Sequence, residues 1–333
     1  MIQSKSKKIS FILIKKLLYD KFQSYLENAQ KTNQFTNYGW AAKELEERAR
    51  DMLKIDDSKG IIACSSGTSA LHAMLWAIQR QDGPARVGTQ DFTFASNSLG
   101  PAEGPIVTDM KPNCNIDLND PYIQQAKILI VTNVFGHLQD FEYISKHNFP
   151  YVIFDNAATP YTFFGGANSC NYGVGSYISL HHTKPIGFGE GGLAIIDKRY
   201  EENVRIATNF GLIDGDFNER SGNYKISDIS AAAILQWWDQ FDIDELAAQF
   251  QDNYYKLKYE LKDIEGENWV NHSDDNTFFP NCYPFFPEKE IPNNILEKYE
   301  IKKYYKPLRN FPISSAMYEK IQCFALTEGI NYG

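Results

Sequence analysis

SLHHTKPIGFGEGG, running from Ser179 to Gly192, packs two adjacent histidines, a lysine, a proline, several glycines and a glutamate into one short stretch. Three chemistries compete for such a segment: a metal site, a dinucleotide loop, or the seat of a reactive lysine. Gly187, Gly189 and Gly192 satisfy G-x-G-x-x-G, but a dinucleotide fingerprint must follow a strand and open a helix. The next residues, LAIID, have the pattern of a strand, so the required helix N-terminus is missing. No Walker lysine motif occurs elsewhere. His181 and His182 are neighbours, and neighbouring side chains on an extended segment point to opposite faces. They read as histidines hydrogen-bonded in a polar turn rather than as ligands of one metal ion. Lys184 remains. It lies between the apolar run SYISL and a glycine-rich turn, and Pro185 disfavours α geometry at it. Alone it would be a surface lysine on a loop, but two upstream segments change that reading.

The first is CSSGTSALHAML, where Ser66, Gly67, Thr68 and Ser69 stand at the expected start of a helix. Free N–H groups and the helix dipole bind a phosphate there; ordinary N-capping by Ser66 or Thr68 is the alternative. The second is YVIFDNAAT, which puts Asp155 at the C-terminal end of an apolar strand, where open α/β sheets place ligands. A helix cap or turn aspartate is the plainer reading. A phosphate seat, a strand-end carboxylate and a lysine in a glycine-rich turn together fit pyridoxal 5'-phosphate. The carboxylate would keep the pyridine nitrogen protonated, so that the ring accepts electrons from a carbanion. The lysine would hold the aldehyde as an imine and then move protons.

The surrounding sequence is compatible with a soluble enzyme. KELEERARDML places Leu45, Ala49, Met52 and Leu53 on one helical face, and Leu71, Met74, Leu75 and Ile78 keep the same period further on. AKILIVTNVFG and YVIFDNAATP are short apolar runs ending in polar turns, the pattern of buried parallel strands; SYISL and GLAIIDKRY add two more. Strands alternating with helices make an α/β architecture. The pattern changes after Phe241, where a long helix leads into an aromatic, proline-rich tail. Hence a division into 1–30, an N-terminal amphipathic helical segment, 31–240, a large domain, and 241–333, a small C-terminal domain. The 333 residues are 43% hydrophobic and 14% aromatic, enough to build a core rather than a disordered chain, and the net charge of -9 argues against a nucleic-acid binder. Cys64, Cys114, Cys170, Cys282 and Cys323 are scattered, odd in number and without a CxxC pair, which suits a reducing, cytoplasmic setting better than disulfides or structural zinc. The apolar run FILI is interrupted by Lys15 and Lys16, too short for a signal peptide or a membrane span.

At this point the sequence resembles the DegT/DnrJ/EryC1/StrS family of sugar aminotransferases, within the fold type I group of pyridoxal-phosphate enzymes. The resemblance runs from about Thr36 to Gln240. The family pattern S-F-H-x-T-K-x-x-x-x-G-E-G-G is met by Ser179, His181, Thr183, Lys184, Gly189, Glu190, Gly191 and Gly192, departing only at Leu180. TNYGWAAKELEERARDML carries Thr36, Asn37 and Gly39 of the entry segment, and SSGTSAL is similar to the phosphate loop. DFTFASNS is similar to the strand end whose aromatic residue, Phe94, stacks on the pyridine ring. VTNVFGHLQD keeps Gly136 and Asp140. SGNYKISDISAAAILQ keeps Asn223, Tyr224, Asp228, Ala231 and Ala232. The implied fold is a large domain with a mostly parallel mixed sheet between helices, plus a small C-terminal α+β domain. The implied catalytic pair is Lys184 and Asp155. The implied cofactor contacts are Gly67, the backbone of Thr68 and Ser69, Phe94, Asp155, Ala158, the Ser179 hydroxyl and Lys184. Asn223 would reach the phosphate of a neighbouring subunit, which implies a homodimer with shared active sites. Asn37, His181 and Glu190 are candidates for the substrate side. Ala158 stands where the family has Gln or His against the pyridine hydroxyl, with Thr159 or Asn156 as possible substitutes, and Lys225 replaces the usual Arg. The C-terminal part is short and matches only faintly.

The resemblance implies transfer of the amino group of glutamate, released as 2-oxoglutarate, to a nucleotide-linked keto-6-deoxy sugar. The first expectation is dTDP-4-keto-6-deoxyglucose, and a 3-keto sugar comes next. The product would be an amino sugar for polysaccharide assembly. Two other readings stay open: a sugar dehydratase, disfavoured because that branch has histidine in place of the lysine, and a non-catalytic ligand-binding homologue.

Overall fold

The computed structural model describes residues 8–218, 220–268 and 278–332. Its nine helices among these residues are α1 (Tyr19–Thr32), α2 (Trp40–Leu53), α3 (Gly67–Asp82), α4 (Phe141–Ser145), α5 (Glu201–Thr208), α6 (Asp228–Trp238), α7 (Ile243–Glu260), α8 (Asn293–Lys298) and α9 (Pro312–Lys320). The large sheet uses β1 (Lys59–Cys64), β2 (Val87–Gln90), β3 (Ile106–Thr108), β4 (Ile128–Thr132) and β5 (Tyr151–Asp155). A two-stranded hairpin, β6 (Phe163–Phe164) and β7 (Ala167–Asn168), intervenes before β8 (Gly175–Ser179) and β9 (Gly192–Asp197) complete the sheet. Its order is β1-β9-β8-β5-β4-β2-β3. Pairing is parallel from β8 through β5, β4 and β2 to β3, and β9 runs antiparallel between β1 and β8. The α/β expectation therefore holds, with β2 and β3 added at one edge.

Both faces of the sheet are covered, and the period of two shows it. Ile61 and Ala63 of β1, with Leu193 and Ile195 of β9, join a cluster containing α2 and α6 residues such as Leu45 and Trp237. Ile62, Cys64, Ala194 and Ile196 point the other way, into a cluster with Leu71, Met74 and Ile78 of α3. Successive side chains of one strand thus enter different cores, which is why these strands are apolar throughout rather than alternating. After α7, the strands β10 (Gly266–Asn268), β11 (Tyr283–Pro287), β12 (Ile301–Lys302) and β13 (Gln322–Phe324) form an antiparallel sheet of order β10-β11-β13-β12. Tyr283, Phe285 and Phe324 of that sheet pack into the same cluster as α2 and α6.

One expectation is corrected. The N-terminal segment 1–30 is not helical throughout: the part at residues 1–7 lies outside the described residues, residues 8–18 carry no helix, and α1 begins only at Tyr19. Ile9 pairs with Tyr299 in a parallel bridge, its N–H donating to Lys298 O at 2.9 Å. Leu18 N–H donates to Gln236 Oε1 at 2.9 Å, tying the other end of this strap to α6. An isolated turn of helix gains little over a chain that finds partners elsewhere. No described helix is long and apolar enough to cross a membrane.

Candidate active site

β4, β5 and β8 run parallel and end together, so Thr132, Asp155 and Ser179 come to one edge of the sheet. β9 starts at that edge, with Gly192 opposite both Ser179 and Cys64. The quoted turn is therefore the connection between two adjacent antiparallel strands, and it hangs over the edge where parallel strands place ligands. A cavity of about 420 Å³ opens there, lined among others by Lys184, Asp155, Thr68, Ser179 and Phe94.

Asp155 is 3% exposed. Its Oδ2 accepts from Asn97 Nδ2 at 3.2 Å and from Thr132 Oγ1 at 3.1 Å, and its Oδ1 accepts from Ala157 N–H at 3.0 Å. Tyr177, also buried, donates its hydroxyl to Asn97 Oδ1 at 2.6 Å and so orients the amide that serves Asp155. Burial raises the Asp155 carboxyl above the ordinary carboxylate range, and the hydrogen bonds around it pull the other way. Burial lowers the Lys184 ammonium from its ordinary 10.5, opposed by the Asp155 charge. The cavity thus holds a buried carboxyl surrounded by donors and an amine that burial biases toward its neutral, nucleophilic form.

The N-terminus of α3 forms another wall. Ser66 caps it, its Oγ accepting from Ser69 N–H at 3.1 Å. The first two N–H groups of the helix, on Gly67 and Thr68, have no intrahelical acceptor, and both residues line the cavity. A Cβ at Gly67 would stand 3.2 Å from Ser179 Cβ, and one at Gly192 would stand 2.3 Å from the Ser66 carbonyl carbon. These two glycines let the helix N-terminus, the end of β8 and the start of β9 close into one cradle. Ser69 differs from expectation. It is buried, its Oγ donates to Ser66 O at 3.0 Å, and it stands behind the cradle rather than on the cavity wall.

His181 and Glu190 both line the cavity, and His181 Nε2 lies 3.5 Å from Glu190 Oε1. His182 packs edge-on against Phe188 instead, so the two histidines diverge. Phe94 is exposed at the cavity and meets Tyr305 edge-on at 6.4 Å. Ala158 is buried on the cavity wall. Neither suggested substitute for it reaches the cavity: Thr159 Oγ1 donates to Asn133 O at 2.8 Å, and Asn156 Oδ1 accepts from Asn133 Nδ2 at 2.8 Å, both fully buried. Asn37 and Asn223 are exposed and do not line the cavity of their own chain. The entry-segment glycine, Gly39, instead serves a cap: Asp228 Oδ1 accepts from Ala41 N–H at 2.8 Å at the start of α2.

Sequence reasoning missed the rest of the wall. Phe11 and Ile12 arrive from the N-terminal strap, and Asn281, Cys282, Lys302, Tyr304 and Tyr305 from the C-terminal region. Tyr305 stacks on Phe135 at 5.6 Å, the two rings nearly parallel. Asn281 Oδ1 is buried with no hydrogen-bond partner, and an unmatched acceptor on a cavity wall is a place for a ligand donor.

The family model that matches this chain is that of the DegT/DnrJ/EryC1/StrS aminotransferase family, over residues 17–313. The chain belongs to that aminotransferase family. A dTDP-4-amino-4,6-dideoxy-D-glucose transaminase from Shigella dysenteriae is 26% identical over 300 residues, which cover 86% of this chain and 78% of that protein. Among solved structures, Helicobacter pylori PseC, an aminotransferase involved in the biosynthesis of pseudoaminic acid, superposes with a TM-score of 0.78 at 16% identity, covering 96% of this chain and 94% of PseC. The sugar aminotransferase CalS13 from Micromonospora echinospora gives 0.77 at 17%, with 96% and 94% covered. The fold is the fold type I architecture of such aminotransferases.

Proposed function

We propose that this family member is a pyridoxal-phosphate-dependent aminotransferase that moves the amino group of glutamate to a nucleotide-linked keto-6-deoxy sugar, with dTDP-4-keto-6-deoxyglucose as the first substrate to try. The observation that carries the reading is that one cavity gathers Lys184, Asp155 and the uncapped N–H groups at the start of α3. The residues present fit the cofactor: a helix N-terminus whose close approach to Ser179 and Gly192 requires glycine at Gly67 and Gly192, a carboxyl at the sheet edge, and an amine lining the same cavity. When bound, the cofactor supplies an electron sink for a carbanion.

The chain's own groups account for the remaining requirements. Gly67 and Thr68 N–H groups with the Ser179 hydroxyl bind a phosphate dianion at the helix N-terminus. Asp155 holds a proton on a ring nitrogen; burial raises its carboxyl, three donors oppose that rise, and a cationic ring N–H beside it would favour the carboxylate. Lys184, its ammonium disfavoured by burial, takes a proton from the substrate carbon and returns one later in the half-reaction. Phe94 covers one side of the cavity and Tyr305 and Phe135 wall it, which excludes water from the reacting carbon. Lys302 at the same cavity supplies positive charge for a carboxylate or a diphosphate, and the His181 ring also lines it. The sugar of the Shigella relative supports a 4-keto substrate. Asn223, exposed and away from its own cavity, serves the phosphate of a second subunit in a homodimer.

A visible spectrum of the purified protein with pyridoxal phosphate, before and after glutamate, tests the reading. A visible band that forms with the cofactor and is lost on adding glutamate is the expected result. Absence of any band would overturn it.

A further inference from the structure

The turn that presents Lys184 has an unusual inner lining. Five of its carbonyls are held by side-chain donors. Trp237 Nε1–H donates to Pro185 O at 3.0 Å, and Trp238 Nε1–H donates to Ile186 O at 2.7 Å. The other three converge on a single point, the ammonium of Lys15. Lys15 Nζ donates to His182 O at 2.8 Å, to Lys184 O at 2.6 Å and to Gly187 O. An ammonium has three donors and no acceptor, so this set saturates it. The ring of Trp237 lies 5.3 Å from the same nitrogen. Burial pulls the Lys15 ammonium down to about 7, while three carbonyl dipoles and a π face favour its charged form. Lys15 is delivered by the extended strap, whose neighbours are fixed: Leu13 is buried in the core, Gln240 Nε2 donates to Lys16 O at 3.1 Å, and Leu18 N–H donates to Gln236.

We propose that Lys15 is a positioning residue for Lys184, a built-in cation that gathers the carbonyls of His182, Lys184 and Gly187 and fixes the turn from which Lys184 reaches the cavity. Converging carbonyl oxygens repel one another, and without a cation between them the turn opens. One of the three carbonyls belongs to Lys184 itself, so the clamp acts on the residue that carries the amine. The functional meaning rests on the aminotransferase reading of Lys184, whereas the clamp itself does not.

The test uses the full chain without cofactor and reads amide hydrogen exchange by mass spectrometry, so it is independent of turnover. Lys184 N–H donates to His181 O, Gly187 N–H to Lys184 O and His182 N–H to Gly189 O, and these amides report the closed turn. Lys15→Met keeps the apolar stem and removes the charge. It should speed exchange over residues 180–191 about tenfold while β4 and β5 keep their protection. In Lys15→Ala, added propylammonium should restore the protection, and propanol should not. In cofactor-loaded enzyme, Lys15→Met should lower kcat with little change in KM for glutamate. Unchanged exchange in Lys15→Met would overturn the proposal, as would equal loss in the turn and the central strands, or rescue by propanol equal to that by propylammonium. A wild-type protein that binds no cofactor but shows the exchange pattern would refute the aminotransferase reading and leave the clamp standing.

Discussion

Lys184 and Asp155 are opposed by their surroundings in a useful way. Burial lowers the lysine and raises the aspartate, so each is pushed toward neutrality until a ligand pairs with it. For Lys184 the consequence is a stability that depends on pH. Below its lowered folded value, both folded and unfolded chains carry the ammonium, and burying it costs the fold in full. Between that value and the ordinary 10.5, the unfolded chain binds more protons, so folding stability rises with pH. Lys184→Met should therefore make the cofactor-free protein more stable at about pH 7, and the gain should shrink by about pH 10. Denaturant melts of both proteins at the two pH values measure it; a gap that widens would contradict the assignment. On activity, Lys184→Ala should lose at least roughly 10²–10⁴-fold in turnover with the fold retained. Asp155→Asn should keep some cofactor binding and lose roughly a hundredfold in kcat. Near-native kinetics in either variant would remove that residue from the catalytic pair.

At the level of elements, the site is a meeting of ends: the ends of β4, β5 and β8, the start of β9 and the start of α3. Gly192 is where this meeting is tightest. Gly192→Ala would drive a Cβ to 2.3 Å from backbone atoms of Ser66 and 2.4 Å from Gly67 N. Backbone cannot rotate away, so the cradle must shift, at about 1–3 kcal/mol. The expected result is a modest loss in a denaturant melt together with a weaker affinity for inorganic phosphate. An unchanged phosphate affinity would place the anion elsewhere. The strap at residues 8–18 shows where local pattern misleads. FILIKKLL has the composition of an amphipathic helix, yet Ile9 pairs with the C-terminal region and Lys15 is drawn to three carbonyls. The short strand β2 was invisible for a different reason: VGTQ offers only one large apolar residue, and its burial comes from neighbours on both sides.

The whole molecule closes the cavity with residues from both chain termini, and the proposed dimer adds a third source. If Asn223 serves the neighbouring subunit, then Lys184→Ala and Asn223→Ala damage different sites of a heterodimer. Mixing the two inactive variants under conditions of subunit exchange should restore about a quarter of wild-type activity, since half of the dimers are hybrids with one intact site. No recovery with demonstrated exchange would place Asn223 in its own subunit or outside the site.

Local pattern was enough to single out the residues that the cavity brings together. Lys184 in its glycine-rich turn, Asp155 at a strand end and Gly67–Thr68 at a helix start are each legible because a strand end or a helix cap is written in a few adjacent residues. The α/β order followed from apolar runs buried on both faces. Tertiary structure alone decided what surrounds them. That Ser69 turns inward, that Asn156 and Thr159 are engaged with Asn133, and that Tyr305, Asn281 and Lys15 reach the site depend on contacts between residues far apart in the chain. Such contacts leave no periodic trace, because their free energy is gained only once the sheet, the strap and the C-terminal strands are already packed together.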